Sequence, residues 1–413
     1  MTETRFADLG LAEPLNRALK AAGFKTPTPI QSQAIPIALE QHDVLGLAQT
    51  GTGKTAAFAL PIVNYLLAKS QKPQGKSARA LILAPTRELV VQIAETVKTL
   101  SHGTGLSLGV VMGGVSIRPQ ISMARKGVDI LIATPGRLLD LIDQKHIALH
   151  QTKFLVLDEA DRMLDMGFVR DVRRIVSDMP VKRQTLLFSA TMPNAVAKLA
   201  SEILQDPQRV EIVAKSIAVE RIEQSVHHVD RSAKRDKLDE LLSDPDLERV
   251  IVFTRTKHGA DKVVRNLKKS SVRAEAIHGN KTQGQRQRSL ESFRRGKIRV
   301  LVATDIASRG IDVDHVSHVI NYELPNEPES YVHRIGRTAR AGADGVAISL
   351  CAPDERAYLK DIEKLIKRPL RAVGDVPVEL VETTSGKPGR NRRPSNGPKR
   401  RRRRFRGPAK KAA

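Results

Sequence analysis

A short apolar run that ends in a small, hydroxylated or charged residue recurs along the chain and constrains its fold more than any other feature. Runs of Val, Ile and Leu separated by helical stretches are typical of buried strands in parallel sheets. In open α/β sheets, ligands bind beyond the carboxyl ends of the strands, which is where the polar residues lie here. The pattern therefore predicts an α/β fold with two similar parallel sheets. The runs are VLGLA before Gln49, LILA before Pro85, DILIA before Thr134, FLVL before Asp158, TLLF before Ser189, VIVF before Thr254, IRVLVA before Thr304 and VAISL before Cys351.

The alternation of helices and strands breaks between residues 205 and 219, which predicts a connection between two domains. We expect a first domain over residues 1–205, a linker over 206–220, a second domain over 221–370 and an extension over 371–413. From residue 383 onward the composition changes to Gly, Pro, Ser and Arg. Such a segment buries too little apolar surface to offset its chain entropy, so a disordered basic tail is predicted.

The charge of the chain indicates a polyanionic partner. The formal net charge is +24, from 69 Lys and Arg against 45 Asp and Glu. Residues 383–413 contain thirteen basic residues and no acidic ones, so +11 remains on the rest of the chain. A basic body with a basic tail favours nucleic acid. A tail that serves only solubility is the alternative.

The remaining composition indicates a cytoplasmic protein. No uninterrupted apolar run reaches the length of about 18 residues that a membrane span needs. The N-terminus lacks the pattern of a secretion signal. The single cysteine, Cys351, excludes an intrachain disulfide and fits a reducing compartment.

A phosphate-binding loop is predicted at residues 48–55, which read AQTGTGKT between a strand and a helical stretch. Apart from Ala48 in place of the first glycine, the segment matches the phosphate-binding loop pattern. Gly51 and Gly53 allow backbone N–H groups to wrap phosphates at a helix N-terminus. Lys54 can reach the β- and γ-phosphates of ATP, and Thr55 can ligate Mg²⁺. The predicted nucleotide ligands are Ala48, Gln49, Thr50, Gly51, Thr52, Gly53, Lys54 and Thr55.

Two adjacent acids follow the buried run FLVL. Asp158 can hold Mg²⁺ partly through water, and Glu159 can orient or deprotonate the attacking water. The alternative is a structural one, in which the acids cap a helix and complement its dipole. Because Lys54 occurs in the same half of the chain, we expect Lys54, Asp158 and Glu159 to be catalytic.

Residues 158–161 read Asp-Glu-Ala-Asp and resemble the name-giving motif of the DEAD-box RNA helicases. The resemblance extends over most of residues 1–370. It implies two tandem RecA-like domains that ATP and single-stranded RNA draw together, with RNA-stimulated ATP hydrolysis and local unwinding of short duplexes. The basic tail, together with the preceding PNEPESYVHRIGRTARAG, is most similar to the bacterial RhlE-type branch of the family.

The resemblance assigns further residues to the nucleotide. GFKTPTPIQSQAIP is similar to the Q motif, in which Gln31 would hydrogen-bond adenine and Phe6 would stack on it. Without the resemblance, Phe6 would be a core residue and Gln31 a polar residue of a helix. Asp305 resembles the acid that contacts the ribose.

An arginine-rich segment, HRIGRTARAG at residues 333–342, places Arg334, Arg337 and Arg340 three residues apart. On a helix they would lie along one side, with Gly342 suited to ending it. The resemblance implies that Arg337 and Arg340 are arginine fingers on the γ-phosphate, and it places Ala339 where glycine is common. A surface helix that faces solvent is the alternative.

The resemblance also assigns residues to coupling and to RNA. The residues implied to couple hydrolysis to unwinding are Asp161, Ser189, Thr191 and His333, with hydroxyl groups expected to bond Asp161. The residues implied to contact the RNA backbone are Pro85, Thr86, Arg87, Gly113, Gly114, Thr134, Pro135, Gly136 and Arg137 in the first half and Arg255, Gln283, Arg286 and Thr304 in the second. Asn280 replaces the usual aspartate after His278 and Gly279.

Two other functions fit part of the pattern. A DNA helicase of the same superfamily would share the phosphate loop and the arginine fingers. An RNA-annealing chaperone would use ATP only to gate a clamp, although Lys54, Glu159 and Arg337 favour true hydrolysis. The function expected is therefore an ATP-dependent RNA helicase that uses ATP and Mg²⁺ and acts as a monomer.

Overall fold

Two parallel sheets with the same strand order form the framework of the chain. The computed structural model describes residues 5–49, 51–69, 71–212, 222–305, 316–339 and 344–374, and seven strands of each sheet lie in these ranges. Numbered from its own first strand, each sheet follows the order 3-4-2-5-6-1-7. Neighbouring strands pair in parallel throughout. The expected fold class, two tandem RecA-like α/β domains, is confirmed.

The first domain contains strands β1 to β7 and helices α1 to α9. Its strands are β1 (Val44–Leu47), β2 (Ala78–Leu83), β3 (Leu108–Val111), β4 (Val128–Ala133), β5 (Phe154–Leu157), β6 (Gln184–Ser189) and β7 (Gln208–Glu211). Its helices are α1 (Glu13–Ala21), α2 (Pro29–Leu39), α3 (Lys54–Ala68), α4 (Arg87–Leu100), α5 (Ile117–Lys126), α6 (Pro135–Asp143), α7 (Ala160–Asp165), α8 (Val169–Ser177) and α9 (Asn194–Ile203), preceded by a 3-10 helix at Phe6–Leu9.

The second domain repeats the arrangement with strands β8 to β14. The strands are β8 (Ile222–His228), β9 (Val250–Thr254), β10 (Ala274–Ile277), β11 (Val300–Thr304), β12 (His318–Asn321), β13 (Gly345–Cys351) and β14 (Arg371–Val373). The helices that the structure describes are α10 (Lys234–Ser243), α11 (Lys257–Lys269), α12 (Gln283–Arg294), α13 (Pro328–Ile335) and α14 (Arg356–Ile366), with a 3-10 helix at Pro353–Glu355.

Helices cover both faces of the first sheet because its central strands are apolar on both sides. Every residue of β1, β4, β5 and β6 is buried. One core cluster packs α1 to α4 on one face, and a second packs α5 to α9 on the other. In the first cluster the ring of Phe58 lies 5.6 Å from that of Phe188 in β6. Because both rings are fully buried, Phe58→Ala would destabilise the domain by about 3–5 kcal/mol.

All eight apolar runs lie in strands, whereas six shorter or more polar strands gave no clear sequence signal. The strand β7 lies at the edge of its sheet and has three exposed residues among its four. Polar and apolar residues mix in β8, which reads IEQSVHH. Edge strands need only one buried face, so their sequences lack the continuous apolar run. The strands without a clear signal are β3, β7, β8, β10, β12 and β14.

The expected domain boundaries are too early at two places. Strand β7 pairs with β1, so the first sheet continues to Glu211 rather than ending at residue 205. Strand β14 pairs with β8, so the second sheet continues to Val373 rather than ending at residue 370. Most of the expected linker and the basic tail lie outside the described residues. None of the helices that the structure describes is long and apolar enough to cross a membrane.

Candidate nucleotide and RNA site

The phosphate loop connects β1 to α3 at the carboxyl edge of the first sheet. Gly51 and Gly53 have φ angles of 85° and 88°, a left-handed conformation that glycine adopts at little cost. Lys54 begins α3, and its buried Nζ donates a hydrogen bond of 2.8 Å to the carbonyl of Ala48. The loop thus holds its own lysine in the position that a phosphate-binding loop requires. Thr50 lies outside the described residues.

Gln31 holds the phosphate loop through its side-chain amide. Its Nε2 donates to the carbonyl of Gly53 at 3.0 Å, and its Oε1 accepts from the backbone N–H of Thr28 at 2.9 Å. The Thr28 hydroxyl donates to the carbonyl of Thr52 at 2.8 Å. A side chain at position 53 would overlap the amide of Gln31, so the glycine is also needed for close approach. These two bonds use one of the two N–H groups of the amide, and the predicted contact with adenine stays a prediction.

Phe6 lies in the core of the first domain rather than on an open face. Its side chain is 4% exposed and meets the ring of Phe24 edge-on, with centroids 6.1 Å apart. This is the placement that a core residue would have. Stacking of Phe6 on a nucleobase stays a prediction.

The two acids after β5 are both buried but differ in their electrostatics. Burial raises the pKa of Asp158 to about 6, although the charge of Lys54 opposes the rise. Burial also acts to raise the pKa of Glu159, but Arg162, Lys54 and Arg337 together lower it below its ordinary value. Glu159 therefore remains a carboxylate at neutral pH, which is the form that can accept a proton.

Glu159 is the point at which the two domains meet electrostatically. Lys54 and Arg162 belong to the first domain, whereas Arg337 follows α13 of the second. All three positive charges act on the same buried carboxylate. Glu159 itself has a left-handed backbone, with φ 56° and ψ 54°, which is costly for a residue other than glycine. The structure thus brings together Lys54, Glu159 and Arg337, which sequence reasoning had placed in one site.

Asp161 links the end of β5 to the end of β6 through five hydrogen bonds. Its Oδ2 accepts from the backbone N–H of Ala190 at 3.1 Å and from the backbone N–H and hydroxyl of Thr191 at 2.9 and 3.0 Å. Its own N–H donates to the Ser189 hydroxyl at 3.2 Å, and its Oδ1 accepts from the Arg162 N–H at 3.0 Å. The expected hydroxyl bonds are present, and the coupling role they were assigned stays a prediction.

The arginine-rich segment differs from the expected helix. Helix α13 ends at Ile335 with Gly336 as its C-cap, so Arg337 lies beyond the helix, and the expectation of one continuous arginine face is wrong. Ala339 has a φ of 55°, which explains why glycine is favoured there and costs alanine about 1–2 kcal/mol. Half-buried His333 lies in α13, and Arg340 and Gly342 lie outside the described residues.

Arg334 has a structural partner set that the sequence did not indicate. Its guanidinium binds both carboxylate oxygens of Asp305, at 2.5 and 2.7 Å. It also donates to Asn321 at 3.1 Å and lies over the ring of Phe253. Asp305 is therefore held at the end of β11 by a bidentate ion pair with a fully buried arginine. Its predicted ribose contact stays a prediction.

The RNA residues predicted in the first domain lie in neighbouring loops. The guanidinium of Arg87 lies against the backbone of Gly113 and Gly114, where a side chain on Gly114 would overlap it. Arg137 donates to the carbonyl of Val115 at 3.2 Å. These contacts join three separate loops into one surface at the carboxyl edge of the sheet. The other predicted residues lie beside them: Pro85 precedes α4, Thr86 caps it, Thr134 caps α6, and Pro135 and Gly136 begin α6.

The RNA residues predicted in the second domain contact acids. Gln283 Nε2 and Arg286 Nη2 donate to the two carboxylate oxygens of Glu88 in the first domain, at 2.9 and 2.8 Å. Arg255 forms an ion pair of 3.3 Å with Glu355. Thr254 and Thr304 end the paired strands β9 and β11. Sequence reasoning missed Glu88 and Glu355, because a lone glutamate in a helix or turn carries no signal of a partner far along the chain.

Comparison with known proteins agrees with this geometry. Residues 28–199 match the family model described as DEAD/DEAH box helicase, and residues 233–342 match the helicase conserved C-terminal domain. The ATP-dependent RNA helicase CshA of Listeria monocytogenes is 45% identical over 372 residues, covering 89% of this chain and 71% of that protein. The CshA protein of Bacillus subtilis is 43% identical over 363 residues, covering 88% and 72%. These relatives carry the name CshA, so the expected RhlE-type branch is not supported.

Solved structures extend the similarity to the arrangement of the whole chain. A Dbp5 variant of S. cerevisiae bound to RNA and ADP BeF3 has a TM-score of 0.79 at 32% identity, covering 92% of this chain and 98% of that one. Mss116p bound to single-stranded RNA and AMP-PNP has a TM-score of 0.80 at 30% identity, covering 92% and 82%.

Proposed function

Because this chain belongs to the DEAD-box family of helicases, we propose that it is an ATP-dependent RNA helicase whose two domains share one ATPase site. The relatives that match across both domains are named ATP-dependent RNA helicases. They favour this function over DNA translocation and over annealing without hydrolysis. ATP and RNA are accordingly its substrate and its polymer partner.

One observation carries the composite site: Glu159 is influenced by Lys54 from its own domain and by Arg337 from the other. In hydrolysis, Glu159 activates the attacking water, and Lys54 balances charge on the β- and γ-phosphates. Arg337 balances the charge that develops on the γ-phosphate in the transition state. Arg340 is proposed as the second finger. Neither domain alone supplies all of these groups.

Mg²⁺ is proposed as the metal cofactor, held by Thr55 and Asp158. The buried Asp158 carboxylate lies among two further acids, Glu159 and Asp161, and burial disfavours its charge. Oxygen ligands with excess negative charge suit Mg²⁺, which would compensate that charge and neutralise the phosphates. Thr55 follows Lys54 in the first turn of α3, which places its hydroxyl at the phosphate loop.

RNA is proposed to lie along the loops that carry Arg87, Arg137 and the glycine pair in the first domain. In the second domain it would meet Arg255, Arg286 and the end of β11. Backbone contacts of this kind position a strand without reading its bases. The basic tail adds positive charge that is independent of the catalytic groups.

The test is Arg337→Ala, measured by ATP turnover and strand separation with RNA, with DNA and without polymer. Because an arginine finger acts in the transition state, kcat should fall by about 10³-fold or more while ATP affinity changes little. Arg265→Ala, an exposed arginine of α11, is the matched control and should retain activity. Normal turnover in Arg337→Ala would refute the composite site, and equal stimulation by DNA would refute RNA as the polymer.

A further inference from the structure

Arg162 is a buried charge that the catalytic proposal above does not use. It lies in α7, directly after the Asp-Glu-Ala-Asp motif, and its side chain is 5% exposed. Its Nε lies 3.5 Å from Oε2 of Glu159, whose side chain is 3% exposed. Within the part of the chain that the structure describes, Nη1 of Arg162 is buried without a hydrogen-bond partner.

Stability does not account for such an arginine. A buried guanidinium loses its hydration, and each unsatisfied N–H adds to that loss. Replacing a buried charge with an apolar side chain of similar volume is often neutral or stabilising. A charge with an incomplete partner set in the centre of a site therefore indicates a functional role for the partner that it does have, which is Glu159.

The other two charges near Glu159 have separate roles. Lys54 and Arg337 are both proposed to contact phosphate when ATP is bound, so their charge is then shared with the nucleotide. Arg162 is three residues from Glu159 on the same short helix. It can stay paired with Glu159 whether or not the second domain and the nucleotide are in place.

We propose that Arg162 is a positioning residue, which holds the Glu159 carboxylate in the direction needed to activate the attacking water. This inference rests on the proposed role of Glu159. Pairing at Oε2 restricts rotation of the carboxylate, so that Oε1 keeps a fixed direction. In the step, the water oxygen bonds to the γ-phosphorus as its proton passes to Glu159. The bond from the γ-phosphorus to the bridging oxygen breaks, and its electron pair stays on ADP.

The first experiment compares Arg162→Met and Arg162→Lys in steady-state ATP hydrolysis at saturating RNA. Because small misplacements of a reacting group can cost about 10²-fold, kcat of Arg162→Met should fall by about 10- to 100-fold. The KM for ATP should stay within about threefold, since Arg162 touches neither base nor phosphate in this proposal. Arg162→Lys, which retains the charge, should recover most of the lost kcat. Arg170→Met, an exposed arginine in α8, is the matched control.

A second measurement distinguishes positioning from a general structural role. RNA affinity is measured with ADP–beryllium fluoride, which imitates bound ATP, and with ADP–aluminium fluoride, which imitates the stage of water attack. Arg162→Met should leave the first complex unchanged and weaken the second by about the same factor as kcat. Equal weakening of both complexes without rescue by Arg162→Lys would mean that Arg162 only supports the fold of α7, and the inference would be overturned.

Glu159→Gln separates this inference from the proposed function. If Glu159→Gln is inactive while Arg162→Met hydrolyses ATP normally, the helicase mechanism stands and the positioning inference is wrong. If Glu159→Gln turns over normally, the role of Glu159 itself is wrong. In the double variant, Arg162→Met should add almost nothing to the loss caused by Glu159→Gln, because the two residues act as one unit.

Discussion

Glu88→Gln is the perturbation that tests how the two domains hold each other. Glu88 lies in the first turn of α4, and its two carboxylate oxygens accept hydrogen bonds from Gln283 and Arg286 of the second domain. All three side chains are buried. Glutamine preserves the shape of the side chain but removes its charge. The substitution therefore weakens a contact between domains without opening a cavity in either.

The magnitude follows from the ion pair. Removing one partner of a buried pair costs about 3–5 kcal/mol, and a hydrogen bond to a charged group contributes about 1.5–3 kcal/mol. Glutamine retains an acceptor oxygen, and Arg286 has further interactions. We therefore expect a loss of about 2 kcal/mol in the free energy of domain closure, which corresponds to about 30-fold in affinity. The folding free energy of each domain should change little, since Glu88 has its printed partners in the other domain.

The assay is RNA affinity in the presence of ADP–beryllium fluoride, measured by fluorescence anisotropy. Glu95→Gln, an exposed glutamate of the same helix, is the matched control. A double-mutant cycle with Arg286→Met should give a coupling energy of about 2 kcal/mol between the two positions. A coupling energy near zero would refute the reasoning, because Arg286 would then act on RNA independently of Glu88. Equal losses in Glu88→Gln and Glu95→Gln would refute it as well.

Three further predictions concern the base, the metal-binding acid and the tail. Gln31→Ala should lower the preference for ATP over GTP and raise the KM for ATP, because Gln31 also holds Gly53; an unchanged ratio of kcat/KM values would contradict the Q-motif assignment. Asp158→Asn should stabilise the protein without Mg²⁺ or nucleotide while abolishing turnover. The pKa of Asp158 rises from 3.8 to about 6 on folding, so its stabilising contribution is complete below pH 3.8 and is lost as the pH rises through 6. The gain in unfolding free energy should be about 3 kcal/mol at pH 7.5 and about half that at pH 5, and equal gains in urea unfolding at both values would exclude the shift. Deleting residues 383–413 should leave kcat at saturating RNA unchanged but flatten the salt dependence of binding, by about 0.7 in log K against log salt for each phosphate lost; equal slopes for both chains would show that the tail does not bind RNA.

The strands that line the site could be read from the sequence because they are buried on both faces. Continuous apolar runs mark β1, β2, β4, β5 and β6, and the motif residues follow them directly. Edge strands such as β7 and β14 have only one face to bury, so their short, polar sequences gave no comparable signal. The boundaries of both domains were placed too early for this reason.

The site could be predicted to the extent that its motifs are local. The phosphate loop, the paired acids and the hydroxyls that bond Asp161 each lie within a few residues of a strand end, where short spacing limits their geometry. The end of α13 before Arg337 was not predictable from arginine spacing, since spacing alone does not show where a helix stops.

By itself, the sequence determined the order of buried strands, the loops that follow them and the chemical groups that those loops carry. Only the tertiary structure decided which distant residues pair: Glu88 with Arg286, Asp305 with Arg334, and Arg337 with the environment of Glu159. The physical reason is that burial and helix formation depend on neighbours along the chain and leave a periodic pattern. An ion pair depends on distance in space, and a charged residue looks the same in the sequence whether its partner is water or a buried acid.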